Sequence, residues 1–299
     1  MQTQFYEQTC RAEDRHWWFQ SRLELVAEYL EKMALPADAR ILDVGCGTGG
    51  TTRFLERYGH VTGIDKSPIA VGHARAKASR STVIEGDVNE LDRWLQPESF
   101  DLVTFFCVLY HCWIPDDVKV LRQVQRVLKP GGRVLLTEPA FKVLARRHDV
   151  VDQGKTRYRL ADFRRYFPQA GLTFEGGRYF NAAAFPVCLA AAVGHRLLGR
   201  ADDGNGEVTD LAFPPRIINR ALMFYLAMER RFSRWVPLPV GVTLLAMGRK
   251  PVAAPGRADE VTNAPARHQD NVLADGWTEP RPQHEPGTAS PAIHCHSDS

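Results

Sequence analysis

No two of the six cysteines (Cys10, Cys46, Cys107, Cys112, Cys188 and Cys295) form a CxxC pair or a framework spacing, and no charged segment leading into an apolar core opens the chain. These absences argue against a disulfide scaffold and a secretory signal, and predict a reduced, cytoplasmic protein. Long apolar runs are also missing. The longest, "AAAFPVCLAAAV" from Ala182 to Val193, is interrupted by Pro186 and falls short of the ~20 residues that span a bilayer. No transmembrane segment is expected, and burial is favoured for this run over a place on a membrane surface. A dominant charge is lacking too: 38 basic residues face 35 acidic ones, for a net charge of +3. No stripe of Lys and Arg interleaved with aromatics recommends nucleic acid as a partner.

What is present is an ordinary globular balance, 44% hydrophobic and 24% charged over 299 residues, enough for one large domain or two small ones. From Pro251 onward seven prolines, scattered charges and no apolar period predict a disordered tail. Its "HCH", His294 to His296, reads as coil rather than as a metal site. The expected organisation is a helical lid over 1–37, a main domain over 38–250 with a helical insertion at about 181–236, and the tail over 251–299. Monomer and homodimer both remain open.

Between residues 40 and 137 short apolar runs alternate with helical patterns, as in βαβ units with a parallel sheet. The predicted strands are "RILDV" (40–44), "VTGID" (61–65), "TVIEG" (82–86), "FDLVTFF" (100–106) and "RVLLT" (133–137), with two more near 172–180 and 241–249. Helices fit after the glycines at 47–50, after Ser67 as N-cap, and from Asp116 to Leu128. Within the insertion, Ile217, Ala221, Leu222, Tyr225 and Met228 recur at helical spacing and predict a helix that is apolar on one side. Ligands of such sheets bind at the carboxyl ends of the strands.

After the first strand comes "DVGCGTGG", in which Gly45, Gly47 and Gly50 satisfy the GxGxxG pattern. Asp43 decides between cofactors, because a carboxylate there would face the pyrophosphate of a dinucleotide with like charge. S-adenosylmethionine has no phosphate; it carries a sulfonium and an ammonium that such a carboxylate attracts. Asp65 ends the second strand, placed to accept both ribose hydroxyls. Asp87 follows the third, where it could accept from the adenine amine while the Val88 amide reaches a ring nitrogen. The competing reading makes Asp65 and Asp87 caps of the following helices.

"ILDVGCGTGG", "VTGIDKS", "VIEGDV", "FDLVTFFCVLYHC" and "LRQVQRVLKPGGRVLL" together resemble the ordered motifs of class I S-adenosylmethionine-dependent methyltransferases over about residues 38–140. The resemblance implies an α/β, Rossmann-like seven-stranded sheet with the last strand antiparallel and helices on both faces. It carries cofactor contacts onto Asp43, Gly45, Cys46, Gly47, Asp65, Lys66, Asp87 and Val88, and places Phe106 and Cys107 at the methionyl end. "HWWFQSR", "EPAFKVLARRHDVV", "RYRLADFRRYFPQAGL" and "RYFNAAAFP" further resemble a bacterial subgroup associated with glycoconjugate or specialised-metabolite pathways. The implied activity is methyl transfer to O, N or C of a small molecule. A noncatalytic S-adenosylmethionine-binding protein and an NAD-dependent oxidoreductase are the alternatives.

In-line transfer from a sulfonium needs alignment above all, and a base only where the acceptor must lose a proton. His111 in "VLYHC" is one candidate, since an imidazole titrates near neutrality. Tyr110 beside it orients substrate or fills the core, and only one of these neighbours is expected to face the pocket. Glu138, after the fifth strand, is a second candidate base or a turn residue. His148 with Asp149 is the third, with a structural pair favoured. Arg157 and Tyr158 could meet an acidic substrate, but Leu160, Phe163 and Phe167 more simply predict a buried helical stripe with snorkelling arginines. No cluster with metal-ligand spacing stands in the core, so the expected mechanism is metal-free.

A helix from about Asp14 to Met33 would bury Phe19, Leu23, Val26, Leu30 and Met33. Trp18 and Arg22 lie one turn apart on an adjoining face. Arg22 is expected to bind the methionyl carboxylate, with Trp17 or Trp18 shielding the sulfonium.

Overall fold

The computed structural model describes residues 3–145, 149, 153–198 and 214–252. Seven strands, β1 (Arg40–Val44), β2 (His60–Asp65), β3 (Thr82–Glu85), β4 (Phe100–Phe106), β5 (Leu128–Pro139), β6 (Thr173–Phe180) and β7 (Thr243–Arg249), form one sheet in the order β3-β2-β1-β4-β5-β7-β6. β1 to β5 pair in parallel, and β7 runs antiparallel between β5 and β6. Strands buried on both faces read as continuous apolar runs, which is why the first five are found where the sequence predicts them. β5 starts five residues earlier than "RVLLT", because Leu128 already pairs with Phe100 across a register shift.

Helices on both faces make this a Rossmann-like α/β fold. α1 (Thr3–Ala12) and α2 (Trp17–Met33) precede the sheet; α3 (Gly50–Leu55), α4 (Pro68–Lys77), α5 (Leu91–Trp94) and α6 (Asp117–Val127) link its parallel strands. α7 (Leu160–Gln169), α8 (Ala184–Leu198) and α9 (Arg216–Phe232) follow β5 and β6. The caps are chemical: Ser67 accepts from the Ala70 amide, Asp116 from that of Lys119 and Asp87 from that of Asn89.

Side chains alternate across the sheet, so Leu42, Val44, Val103, Phe105, Val134 and Leu136 fill one apolar layer, joined by α6 and α7. Ile41, Leu102, Leu135 and Leu245 fill the other, against Leu25, Val26, Leu30 and Met33 of α2. Asp43, Thr104 and Phe106 share the parity of Ile41 and Leu102, so the sheet turns them toward α2. That parity puts α2 beside the site.

Three expectations change. The first helix begins at Trp17, where His16 Nδ1 accepts from the Trp18 amide, and a separate helix, α1, stands before it. The buried stripe of α2 takes Leu25 and Arg22, while Leu23 is half-buried. The run Ala182–Val193 is largely uncovered: Ala192 is buried, but Val187 is 70% exposed. In α9 the inward residues are Leu226 and Glu229, and the predicted apolar side faces solvent, with Ile217 83% exposed and Tyr225 and Met228 also exposed. Periodicity located that helix's apolar side, but not what covers it. His148 and the tail beyond Val252 lie outside the described residues.

Leu25 has no exposed surface, so Leu25→Ala should lower unfolding stability by about 2–5 kcal/mol. Urea denaturation measures this. A change below about 1 kcal/mol would show that α2 is not anchored through this layer.

Candidate functional site

A cavity of about 660 Å³ opens at the carboxyl ends of β1, β2 and β4, walled on the other side by α1, α2 and the start of α8. Its floor is the loop after β1. Gly45 and Gly47 have φ of +67° and +53°, and a Cβ on Gly45 would stand 2.6 Å from the Val108 side chain. Only glycine combines that conformation with that closeness. At Gly47 nothing lies within 4 Å of the added atom, so the backbone there faces open cavity.

Arg22 is 5% exposed, although it is an arginine without a carboxylate hydrogen bond. Its guanidinium lies 4.8 Å from the Trp18 ring centroid, 5.5 Å from Phe19 and 5.4 Å from Phe106, and Nη1 donates to Cys107 Sγ at 3.5 Å. Aromatic faces attract the cation without offering it an acceptor. Its Nε and the Thr48 hydroxyl, both buried in residues of the cavity wall, have no hydrogen-bond partner among the described residues. Asp43, 1% exposed, accepts from Thr52 Oγ1 at 2.8 Å and Thr104 Oγ1 at 3.0 Å. Burial raises its carboxyl to about 7, against the lowering pull of the two hydroxyls and of Arg22. One wall thus presents a buried cation with an unused donor beside a buried carboxylate. It suits a zwitterionic head group such as the amino-acid end of S-adenosylmethionine.

Asp65 also borders the cavity. Its carboxylate accepts from the amides of Gly47 at 3.0 Å and Ser67 at 2.9 Å, tying the glycine loop to the end of β2, and burial raises its pKa. Lys66 Nζ sits 4.2 Å over the Trp113 ring; burial lowers its pKa. Cys46, Val88, Phe106 and Cys107 line the cavity as well. Asp87 does not. Its Oδ1 takes both the amide and the side-chain nitrogen of Asn89, which makes it a helix cap.

On the remaining wall both Tyr110 and His111 face the cavity, against the expectation that only one could. The chain turns here, with the His111 amide donating to Val108 and a bridge to Gly154, so consecutive side chains need not diverge. His111 stacks on Trp113 at 3.9 Å and lies 4.0 Å from Tyr110. Arg157 and Asp149 add a partly buried ion pair, 2.8 Å from Nη2 to Oδ1. Tyr158 points away, donating to the Leu109 carbonyl.

Glu138 requires a correction. It has no exposed surface and does not reach the cavity; its carboxylate accepts from the amides of Val108 at 3.1 Å, Leu109 at 2.9 Å and Tyr110 at 3.3 Å. It therefore shapes the loop that carries Tyr110 and His111 rather than taking a proton from a ligand.

Several wall residues carried no signal in the sequence. Tyr6 and Thr9 come from α1, and Glu13 after it accepts from the Gly50 amide at 3.1 Å and pairs with Lys77 at 2.8 Å. His16 lies at the turn between the two helices. Both tryptophans line the cavity, and Trp18 is the one stacked on Arg22.

Known proteins resemble this chain over part of its length. Residues 41–132 match a family model described as a methyltransferase domain. A ubiquinone biosynthesis O-methyltransferase of Xanthomonas axonopodis pv. citri (strain 306) is 39% identical over 120 residues, 39% of this chain and 48% of that one. The mitochondrial ubiquinone biosynthesis O-methyltransferase of Schizosaccharomyces pombe is 32% identical over 131 residues, 42% of this chain and 47% of that one. The chain thus spans about half the length of the curated relatives it matches. Among solved structures, a chain from the complex of the Haloferax volcanii Trm112 methyltransferase activator with a methyltransferase superposes with a TM-score of 0.52 at 23% identity, covering 80% of this chain and 92% of that one. This likeness concerns the fold.

Burial raises Glu138 from 4.5 to about 8, ahead of the lowering effect of its three amide donors. The folded state therefore binds this proton more tightly than the unfolded chain. The resulting stability is complete below about pH 4.5 and is lost as pH rises through about 8. Glu138→Gln should flatten the fall in unfolding free energy between pH 6 and 8.5. An unchanged slope in urea titrations would contradict the placement.

Proposed function

We propose that this chain is an S-adenosylmethionine-dependent methyltransferase acting on a small molecule. The observation that carries the reading is the buried Arg22 and Asp43 on one cavity wall, opposite charges set above a glycine loop. The methyltransferase-domain match over residues 41–132 supports it. A dinucleotide would set its pyrophosphate against Asp43; a sulfonium amino acid meets an attractive carboxylate there.

When bound, S-adenosylmethionine supplies a methyl group already activated on a positively charged sulfur. Arg22 would hold the methionyl carboxylate through its guanidinium, and Asp43 would receive the ammonium. Trp18 and Phe106 keep water from the guanidinium. Asp65 turns its carboxylate to the ribose hydroxyls, with Gly47, Cys46 and Lys66 around them, while the Val88 backbone borders the adenine. Where the acceptor must lose a proton, His111 takes it. Tyr110 and the Arg157–Asp149 pair orient the acceptor. The acceptor is a specialised-metabolite or glycoconjugate intermediate methylated on O, N or C, and the names of the curated relatives favour oxygen.

With labelled methyl donor and a small-molecule extract, label should appear in an acceptor; none in any fraction would favour a noncatalytic binding protein. Arg22→Ala should weaken S-adenosylmethionine binding about 10- to 100-fold, as loss of a charged hydrogen bond does. Calorimetry reads this, and an unchanged affinity would remove Arg22 from the site.

A further inference from the structure

The side of α9 that meets the rest of the fold is well provided for. Asn219 accepts from the Trp17 amide at 3.0 Å and donates to the Arg15 carbonyl at 3.1 Å, and Arg230 pairs with Glu24 and Glu28 of α2. Glu229, the one acid of this helix, turns inward and accepts from the Ala182 amide and the Tyr225 hydroxyl.

The opposite side is different. Ile217, Phe224, Tyr225 and Met228 recur at intervals of one helical face and are all exposed, Phe224 by 70%. The strip continues past the helix end to Trp235, 85% exposed. α8 adds Val187, and no charged residue occurs between Ala184 and Gly194. Arg216, Arg220 and Arg231 are exposed along the edge of this strip, and among the described residues none has an ion-pair partner. An apolar face of this kind, bordered among the described residues by charge of one sign, marks an interaction surface.

We propose that α9, with the adjoining part of α8, docks this protein on an anionic lipid surface. The apolar strip enters the boundary between head groups and acyl chains, Trp235 sits at that boundary, and the three arginines meet lipid phosphates. Among the described residues no helix is long and apolar enough to cross a membrane, so the helix lies in the plane. Charge favours lipid over a second copy of the chain, because a twofold contact through this face would bring the same arginines toward one another. Ala184 and Cys188 on α8 line the cavity, so docking brings its wall to the membrane. The docking does not depend on the proposed activity.

The test is sedimentation of the full chain with phosphatidylcholine vesicles, with and without about one-third phosphatidylglycerol. Binding should be about tenfold or more stronger to the anionic vesicles and should weaken as salt is raised. Phe224→Asp should reduce it about tenfold or more, as should the double change Arg216→Glu with Arg220→Glu, which leaves the apolar strip intact. Both variants should keep the parent's melting temperature and its affinity for S-adenosylhomocysteine. Equal sedimentation with and without vesicles, or with the two lipid compositions, would overturn the proposal. So would self-association in buffer that Phe224→Asp abolishes, since the face would then belong to a second copy. Vesicle binding is read without turnover, so its failure is distinct from failure of the methyltransferase reading.

Discussion

A guanidinium buried among aromatic rings is the constraint on which the rest of the site depends. Arg22 gives up most of its hydration, and in exchange receives the faces of Trp18, Phe19 and Phe106 and the field of Asp43. Removing a charge from water costs several kcal/mol unless it is compensated. The compensation must therefore be held rigidly. Leu25, Val26 and Leu30 hold α2 to the sheet, and the parity of β1 and β4 turns Asp43 and Phe106 to the same side. A cation held this way beside the cavity is the basis of the proposed contact with an anionic group.

The acids at the strand ends show how surroundings divide one chemistry into several tasks. Asp43 has two hydroxyl donors and remains beside the cavity; Asp65 ties two amides of the surrounding loops together. Asp87 is consumed as a cap, and Glu138 by three consecutive amides. Position after a strand makes a carboxylate available to a site. The number and direction of nearby donors decide whether it reaches a ligand.

Much of this is legible in the amino-acid sequence. Parallel strands covered on both sides leave uninterrupted apolar runs, and glycines, caps and strand-end acids punctuate them, so β1 to β4 and the loop after β1 were legible almost to the residue. The burial of Arg22 among aromatic rings stands outside the predicted apolar stripe of α2, because periodicity sorts a charged residue out of such a stripe. α1 has no apolar repeat of its own to announce it, and the pairing of Glu13 with Lys77 joins residues far apart in the chain. Glu138 was misread because its three donors are backbone amides, which no side-chain pattern reveals. The apolar side of α9 is legible in the sequence but its exposure is not, since spacing measures amphipathicity and not the partner that satisfies it.

The choice between a sulfonium nucleoside and a dinucleotide turns on Asp43 and Arg22 more than on the glycines, which either ligand could use. Titration calorimetry of the purified chain with S-adenosylhomocysteine and with NADH tests it most directly. S-adenosylhomocysteine should saturate one site per chain while NADH gives no binding heat. Binding of NADH with no response to S-adenosylhomocysteine would contradict the assignment.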